Sequence, residues 1–135
     1  MFSTYIWIGI GGALGSMGRY GVSRVFAFWF GETFPWGTLV VNVTGSFLIG
    51  LIAGLTTDPN SRFMVAPDMR QFLMVGICGG YTTFSSFSLQ TLALVREGDM
   101  MEAGSNVLMS VIFCMIAVWL GVVLAGLINQ ARPAG

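Results

Sequence analysis

The residues best suited to chemistry lie in one run, Gly79 to Ser88, which reads GGYTTFSSFS and sits inside a long uncharged segment. A glycine pair that can break a helix is followed by five serine or threonine side chains interleaved with two phenylalanines. Polar groups at membrane depth are costly unless they are satisfied within the protein or line a hydrated pathway. The run therefore predicts a conduction or binding site.

The side chains in this run are neutral hydrogen-bond donors and aromatic rings. A row of neutral donors can solvate a dehydrated anion without holding it as tightly as a buried arginine would. Phe84 and Phe87 are three residues apart and share one helical face, where their positive ring edges can meet an anion. Such residues also serve as packing between helices, but the ordered cluster after the glycine pair favours function. Further neutral donors in the apolar segments include Thr38, Asn42, Thr44, Ser46 and Ser110.

The glycine pair Gly79-Gly80 suggests a second kind of site. If the helix unwinds there, several carbonyl groups lose their intrahelical partners. Non-helical backbone at membrane depth must be buried in protein or bound to something, and Na⁺ held by the carbonyls of Gly79 and Thr82 would satisfy it. The alternative is an intact helix in which the glycines form a packing notch.

Four apolar segments must position these residues. The chain is 55% hydrophobic and 9% charged, with a mean hydropathy of +0.79. Soluble domains carry about 25% charged residues, so the composition indicates an integral membrane protein in a lipid bilayer, with no nucleic-acid partner. The segments cover about residues 4–20, 36–56, 71–95 and 105–128, each close to the roughly 20 residues that span a bilayer. We predict one all-α integral membrane domain over residues 1–135, with four transmembrane helices, the third broken near Gly79–Thr83.

Glycine spacing and arginine placement predict how these helices assemble. Pairs four residues apart, which allow helix backbones to approach closely, are Gly11 with Gly15, Gly50 with Gly54, and Gly76 with Gly80. We therefore expect a compact bundle. Three arginines are expected on each side of the membrane: Arg19, Arg24 and Arg96 on one, and Arg62, Arg70 and Arg132 on the other. This balance gives no preferred orientation, so the chain can insert both ways and pair with an inverted copy of itself. A balance of this size can also arise by chance.

The acidic residues favour some function classes over others. None lies inside the four segments. A proton-coupled multidrug-type antiporter of similar size, the main alternative, needs a carboxylate at membrane depth. A purely structural membrane subunit, a third class, does not explain the polar cluster.

Three motifs resemble the Fluc (CrcB-type) fluoride channels. GGYTTFSSFS at 79–88 is similar to the family signature GGxTTFSTFS, and residues 37–42, GTLVVN, are similar to its second-helix motif GTLxVN. The glycine-rich run from Gly11 to Gly15, followed by Arg19, fits the family's first helix. Tyr81 and Ser86 are mild variants of the signature. In the fourth helix Cys114 stands where the family often has Ser, which leaves Cys114 or Ser110 as the anion contact there.

The resemblance implies a passive, highly selective fluoride channel, without enzymatic activity, that exports F⁻ through the bacterial inner membrane. It implies an antiparallel, dual-topology homodimer with two pores and one central structural Na⁺ held by the carbonyls of Gly79 and Thr82. Arg19 would lie near the aqueous entry of the pore. The pore residues that it implies, together with the hydroxyls that we add as candidates, are Asn42, Phe84, Phe87, Ser85, Ser86, Thr38 and Ser110.

Overall fold

A computed structural model describes residues 2–57, 59, 61 and 63–131. Regular structure in these ranges is entirely helical, as predicted. The elements are α1 (Phe2–Phe30), α2 (Trp36–Thr56), α3 (Pro67–Gln71), a π-helix (Phe72–Cys78), α4 (Gly79–Tyr81), α5 (Phe84–Glu97) and α6 (Met100–Gln130). Arg62 and Arg132, two of the arginines in the predicted charge balance, lie outside the described residues.

Three helical stretches in the described part of the chain are long and apolar enough to cross a membrane, namely Trp36–Thr56, Pro67–Glu97 and Met100–Gln130. We call Pro67–Glu97 the third span. The first helix, α1, has 29 residues but does not reach the same hydropathy. Its sequence explains this, because glycines and Arg19 interrupt the apolar residues.

The helix α1 is longer than the predicted first segment. Residues 21–30 contain no proline and continue the helix to Phe30, where Gly31 follows with a φ of +76°. A glycine in this left-handed conformation is a common helix end. Residues 21–30, which lie between the predicted first and second segments, are therefore helical. Arg19, expected at the end of the first helix, lies well inside it.

Contacts near the helix ends define the directions of the helices. The hydroxyls of Ser3 and Thr4 donate to the Asp68 carboxylate over 2.8 and 2.7 Å, so the start of α1 lies beside the start of the third span. At the far end of α2, Asn129 Nδ2 of α6 donates to the Gly54 carbonyl over 3.1 Å. The helix α1 and the third span thus run in one direction, and α2 and α6 run in the other.

The glycine pairs form close helix contacts, as predicted. A Cβ atom at Gly11 would lie 2.7 Å from the Phe72 carbonyl oxygen, and one at Gly80 would lie 2.5 Å from the Gly12 carbonyl oxygen. The pairs in α1 and in the third span therefore pack on each other. Gly50 and Gly54 instead pack on α6, against Val118 and Ala125.

The third span is broken within the predicted range, but not at the glycines. Gly79 is helical, with φ −65° and ψ −38°. The extended residues are Thr82 (φ −76°, ψ 157°) and Thr83 (φ −153°, ψ 113°). β-Branched threonine favours extended backbone, and its side chain can cap a helix, whereas the glycines are needed for close packing on α1. We call Thr82–Thr83 the break. It lies halfway along the 31-residue third span.

Candidate functional site

The break is fastened to α2 by one side chain. Asn42 accepts from the Thr83 backbone N–H through Oδ1 (2.7 Å) and donates from Nδ2 to the Thr83 carbonyl (3.0 Å). Both backbone groups of Thr83 are thus satisfied by a single carboxamide. Because unpaired backbone groups at membrane depth are costly, Asn42 is what allows the third span to leave the helical path here.

Other contacts satisfy the N-terminal side of the break. The N–H and hydroxyl of Thr82 both donate to the Cys78 carbonyl over 2.9 Å. Two long bonds come from α1: Arg19 Nη1 reaches the Thr82 carbonyl and Ser16 Oγ reaches the Gly80 carbonyl, each over 3.4 Å. Arg19 therefore lies at the depth of the break.

The C-terminal side of the break is the N-terminus of α5. Thr83 is its N-cap, and its Oγ1 accepts from the Ser86 N–H over 3.2 Å. The same Oγ1 donates to the Ser86 hydroxyl (3.1 Å) and lies 3.3 Å from Ser85 Oγ. The first N–H groups of a helix have no intrahelical acceptor and carry the positive end of its dipole. The break therefore presents a positive helix end in the middle of the third span.

The Gly79 carbonyl is affected by the same arrangement. In a continuous helix it would accept from the Thr83 N–H, which here donates to Asn42. Gly79 is exposed at the surface of the chain. Of the two carbonyls expected to bind Na⁺, that of Gly79 has lost this helical partner, while that of Thr82 accepts the long bond from Arg19.

The two phenylalanines contact each other but differ in burial. Their ring centroids are 5.2 Å apart, with the ring planes inclined by 52°. Phe87 is 9% exposed, whereas Phe84 is 78% exposed on the chain surface. The expectation that they share one face holds, with Phe87 turned into the bundle and Phe84 turned outward.

A groove of about 400 Å³ runs along the break. It brings together most of the expected site residues, and both Ser110 and Cys114 of α6 line it. The expected residues in its lining are Asn42, Gly79, Thr82, Phe84, Phe87 and Ser110. We call this the break groove. Ser110 is buried and lies 3.5 Å from Asn106 Oδ1, so its hydroxyl is already engaged.

Four expected site residues lie outside the lining of the break groove. Ser85 is exposed and Ser86 is bonded to Thr83, both one turn into α5. Arg19 approaches the break from α1. Thr38 lines a separate cavity of about 380 Å³ between the start of α2 and the end of α5, with Arg24, Gln90 and Glu97.

Two carboxamides were not singled out from the sequence. Asn106 is 1% exposed and donates to Thr91 Oγ1 over 2.9 Å, which ties α6 to α5. Gln90 carries a buried Oε1 without a partner among the described residues, and it lines the cavity with Thr38. An amide in an apolar helix is the signal that identifies such residues. Asn106 was overlooked because it stands at the predicted start of the fourth segment.

The described acidic residues all lie near helix ends. They are Glu32, Asp68, Glu97, Asp99 and Glu102. The break groove therefore has neutral donors, aromatic rings and a helix N-terminus in its lining, and no carboxylate among the described residues. Such a lining suits an anion better than a cation, apart from the backbone carbonyls beside Gly79.

Comparison with known proteins agrees with this chemistry. Residues 6–122 match the family model described as CrcB-like protein, Camphor Resistance (CrcB). A protein of Rhodospirillum rubrum is 57% identical over 127 residues, covering 94% of this chain and 98% of the relative. Proteins of Methylocella silvestris and Opitutus terrae are 54% and 55% identical over 130 residues, each covering 96% of this chain and 98% of the relative. All three relatives are named fluoride-specific ion channel FluC. The chain therefore belongs to the CrcB family.

Proposed function

We propose that this chain is a fluoride-specific ion channel through which F⁻ leaves the bacterial cytoplasm passively, relieving fluoride toxicity. The observation that carries this proposal is the break groove, where the Asn42 amide, the N-terminus of α5 and two phenylalanines meet halfway along a membrane-length helix. The name shared by relatives more than 50% identical to the chain supports fluoride as the ion.

The physical requirement of the ion matches these groups. Fluoride is small and strongly hydrated, so a pore must replace its water with close donors. Asn42 Nδ2 carries two hydrogens, and one of them donates to the Thr83 carbonyl. The second hydrogen and the ring edges of Phe84 and Phe87 are the groups that we assign to F⁻ in the groove. In the bacterial inner membrane, the inside-negative potential drives an anion outward by about 2.3 kcal/mol per 100 mV, so no coupled ion is needed.

A second copy of the chain is required to complete this site. In a single chain, Gly79, Phe84 and Ser85 are exposed beside non-helical backbone. Irregular backbone at membrane depth is tolerated only where protein or a water-filled cavity covers it. We propose that an inverted copy covers this face and forms an antiparallel homodimer. The charge difference between the two ends is small among the described arginines, which favours insertion in both orientations: Arg24 and Arg96 lie at one end and Arg70 at the other, while Arg19 lies at the depth of the break.

Sodium would be a structural ion at the centre of that dimer. Backbone oxygens suit a small hard cation. The Gly79 carbonyl fits this role well, because its helical partner is withdrawn by Asn42 and its residue lies on the exposed face. The Thr82 carbonyl would join it, sharing its lone pairs between the ion and Arg19. Two such carbonyls from each copy would supply four oxygens.

The antiporter alternative has no support. Proton-coupled exchange needs a carboxylate at membrane depth, and the described acidic residues lie near helix ends. Nothing in the relatives' names points to exchange.

Fluoride efflux from liposomes tests the proposal. Purified protein is reconstituted without a proton or sodium gradient, and efflux is followed with a fluoride electrode, with chloride as the control anion. We expect rapid fluoride efflux and no chloride efflux. A strict requirement for a proton gradient would overturn the channel proposal and favour exchange.

Orientation-locked variants test the antiparallel dimer. Two or three added lysines in the loop after α1 should fix one orientation, and the same addition in the loop after α2 should fix the other. Each variant expressed alone should be inactive, and co-expression should restore efflux. Full activity of one locked variant alone would contradict the antiparallel arrangement.

A further inference from the structure

We propose that Tyr81 is a positioning residue for the break, acting through a hydroxyl bridge to Thr44 of α2. The transport part of this inference rests on the proposed function. Tyr81 is the last residue of α4, immediately before the break. Its hydroxyl lies 2.9 Å from Thr44 Oγ1, and the two residues are 37 positions apart in sequence.

The direction of this hydrogen bond follows from the neighbouring contacts. Thr44 Oγ1 donates to the Val40 carbonyl over 2.7 Å. A hydroxyl has a single hydrogen, so Thr44 accepts from Tyr81 while it donates to Val40. The phenol is thereby anchored to the backbone of α2. A tyrosine hydroxyl at membrane depth needs such a partner, because hydrocarbon offers none.

The Tyr81 ring also packs closely against glycines of two neighbouring helices. A Cβ atom at Gly45 would lie 3.1 Å from the ring Cδ1 atom, and one at Gly18 would lie 3.7 Å from Cδ2. The ring thus lies between α1 and α2, over the missing side chain of Gly45. The Thr82 methyl group is seated against the same glycine. Only a residue without a side chain at position 45 leaves room for both groups.

Three consecutive residues of the third span are therefore held by three residues of α2. Tyr81 is bonded to Thr44, Thr82 packs on Gly45, and Thr83 is bonded to Asn42. The Tyr81 contact lies immediately before the break, and the Thr83 contact lies within it. Loss of the Tyr81 contact removes one of these three restraints, so the Asn42 to Thr83 hydrogen bonds of 2.7 and 3.0 Å should open more often. The orientation of the Asn42 amide in the break groove depends on those bonds.

Four variants test the bridge. Tyr81→Phe removes the hydroxyl and keeps the ring, Thr44→Val removes the acceptor, the double variant removes both, and Thr44→Ser restores a hydroxyl. The matched control is Thr56→Val, which removes a hydroxyl from the same helix far from the break, where Thr56 donates to the Ile52 carbonyl. The first readout is hydrogen exchange of the Thr83 amide in protein labelled with ¹⁵N-threonine, with the Thr91 amide as internal reference. The second is the fluoride concentration that gives half-maximal efflux.

We expect about five-fold faster Thr83 exchange in Tyr81→Phe and in Thr44→Val, which is the size of one net hydrogen bond. The double variant should match either single variant, because all three lose the same bond. Thr44→Ser and Thr56→Val should exchange at the wild-type rate. The fluoride concentration for half-maximal efflux should rise by a similar factor in the same three variants, with the dimer fraction unchanged.

The two readouts separate the possible failures. Unchanged Thr83 exchange in Tyr81→Phe, or additive effects in the double variant, would overturn the bridge. Faster exchange with wild-type half-saturation would overturn its role in the fluoride pathway. Wild-type protein that carries no fluoride would refute the proposed function, while exchange would still decide whether Tyr81 holds the break.

Discussion

The two halves of the third span, before and after the break, differ in composition and in what covers them. Before it, the π-helix and α4 are apolar and glycine-containing, and they lie so close to α1 that a Cβ atom at Gly76 would stand 3.0 Å from the Gly11 Cα atom. After it, α5 is rich in hydroxyl groups, contacts α6 through Asn106 and Thr91, and leaves Phe84 exposed. The first half is thus packed within the chain, and the second half presents polar and aromatic groups at its surface.

This difference explains how a short bundle can hold a polar site at membrane depth. The first half is held by backbone contact with α1, and Asn42 of α2 separately holds Thr83 at the break. The second half can then present a helix N-terminus and two rings without packing tightly on its own. Substitutions should therefore affect stability before the break and ion flux after it, with the largest combined effect at the junction.

Substitution of Asn42, which holds the break, should give the largest combined effect on stability and ion flux. Asn42→Ala leaves both the N–H and the carbonyl of Thr83 without their partner, at about 1–3 kcal/mol for each buried unsatisfied group. We expect lower thermal stability and loss of fluoride efflux together, measured by unfolding in detergent and by liposome assay. Asn129→Ala, which removes a bond to the Gly54 carbonyl near the helix end, is the matched control and should retain efflux. Normal efflux in Asn42→Ala would mean that the hydrogen bonds between Asn42 and Thr83 are dispensable for transport.

Where the first half of the third span packs on α1, substitutions should reduce the stability of the folded protein. In Gly15→Ala the new methyl group would meet the Ile77 carbonyl and stand 2.8 Å from the Tyr81 nitrogen, both backbone atoms. Overpacking of this kind destabilises by about 1–3 kcal/mol. Gly9→Ala lies on the same helix with nothing within 4 Å, and should be neutral or slightly stabilising. Equal unfolding temperatures for the two variants would refute the close contact of the first half with α1.

The sequence predicts the elements better than it predicts their contacts. The apolar segments, the glycine pairs and the break within 79–83 follow from composition and spacing. The π-helix does not, because Phe72–Cys78 has the composition of any apolar helix and the difference lies only in hydrogen-bond register. The position of the break two residues after the glycines depends on the Thr83 cap and on Asn42, which is 41 positions away in sequence.

The candidate site shows the same limit. Asn42, Phe84, Phe87 and Ser110 do line one groove, and their residue types were sufficient to select them. Thr38 was selected on the same grounds but lines another cavity. Arg19 was expected near an aqueous entry and instead contacts the Thr82 carbonyl, because α1 continues to Phe30. Which donors share a groove depends on the rotation of each helix, and donor types alone do not specify it.

After the break, substitutions of the two phenylalanines should distinguish effects on protein stability from effects on fluoride flux. Phe84→Ile and Phe87→Ile keep apolar bulk but remove the ring edge. Both should reduce fluoride efflux, by up to about ten-fold if each ring edge stabilises the passing anion by as much as the roughly 0.5–1.5 kcal/mol of an aromatic pair. Phe87→Ile should also lower the unfolding temperature more than Phe84→Ile does, since within one chain Phe87 is 9% exposed and Phe84 is 78% exposed. Phe28→Ile, at an equally exposed ring of α1, is the control for Phe84. Near-normal efflux in both variants would assign these rings to packing.

The smallest effect is expected at the two cysteine sulfur atoms, which differ in exposure. Both cysteines line the break groove, but Cys114 is partly exposed, whereas Cys78, the last residue of the π-helix, is 2% exposed. Cys114→Ser exchanges one small weakly polar group for a hydroxyl and should leave efflux within about two-fold of wild type.

A small charged methanethiosulfonate added to wild-type liposomes should block efflux by modifying Cys114. The reagent should leave Cys114→Ser unaffected and should still block Cys78→Ser. If Cys114 is modified in wild type and efflux continues, then the groove beside α6 is not the ion's route, and the polar half of the third span conducts along another face.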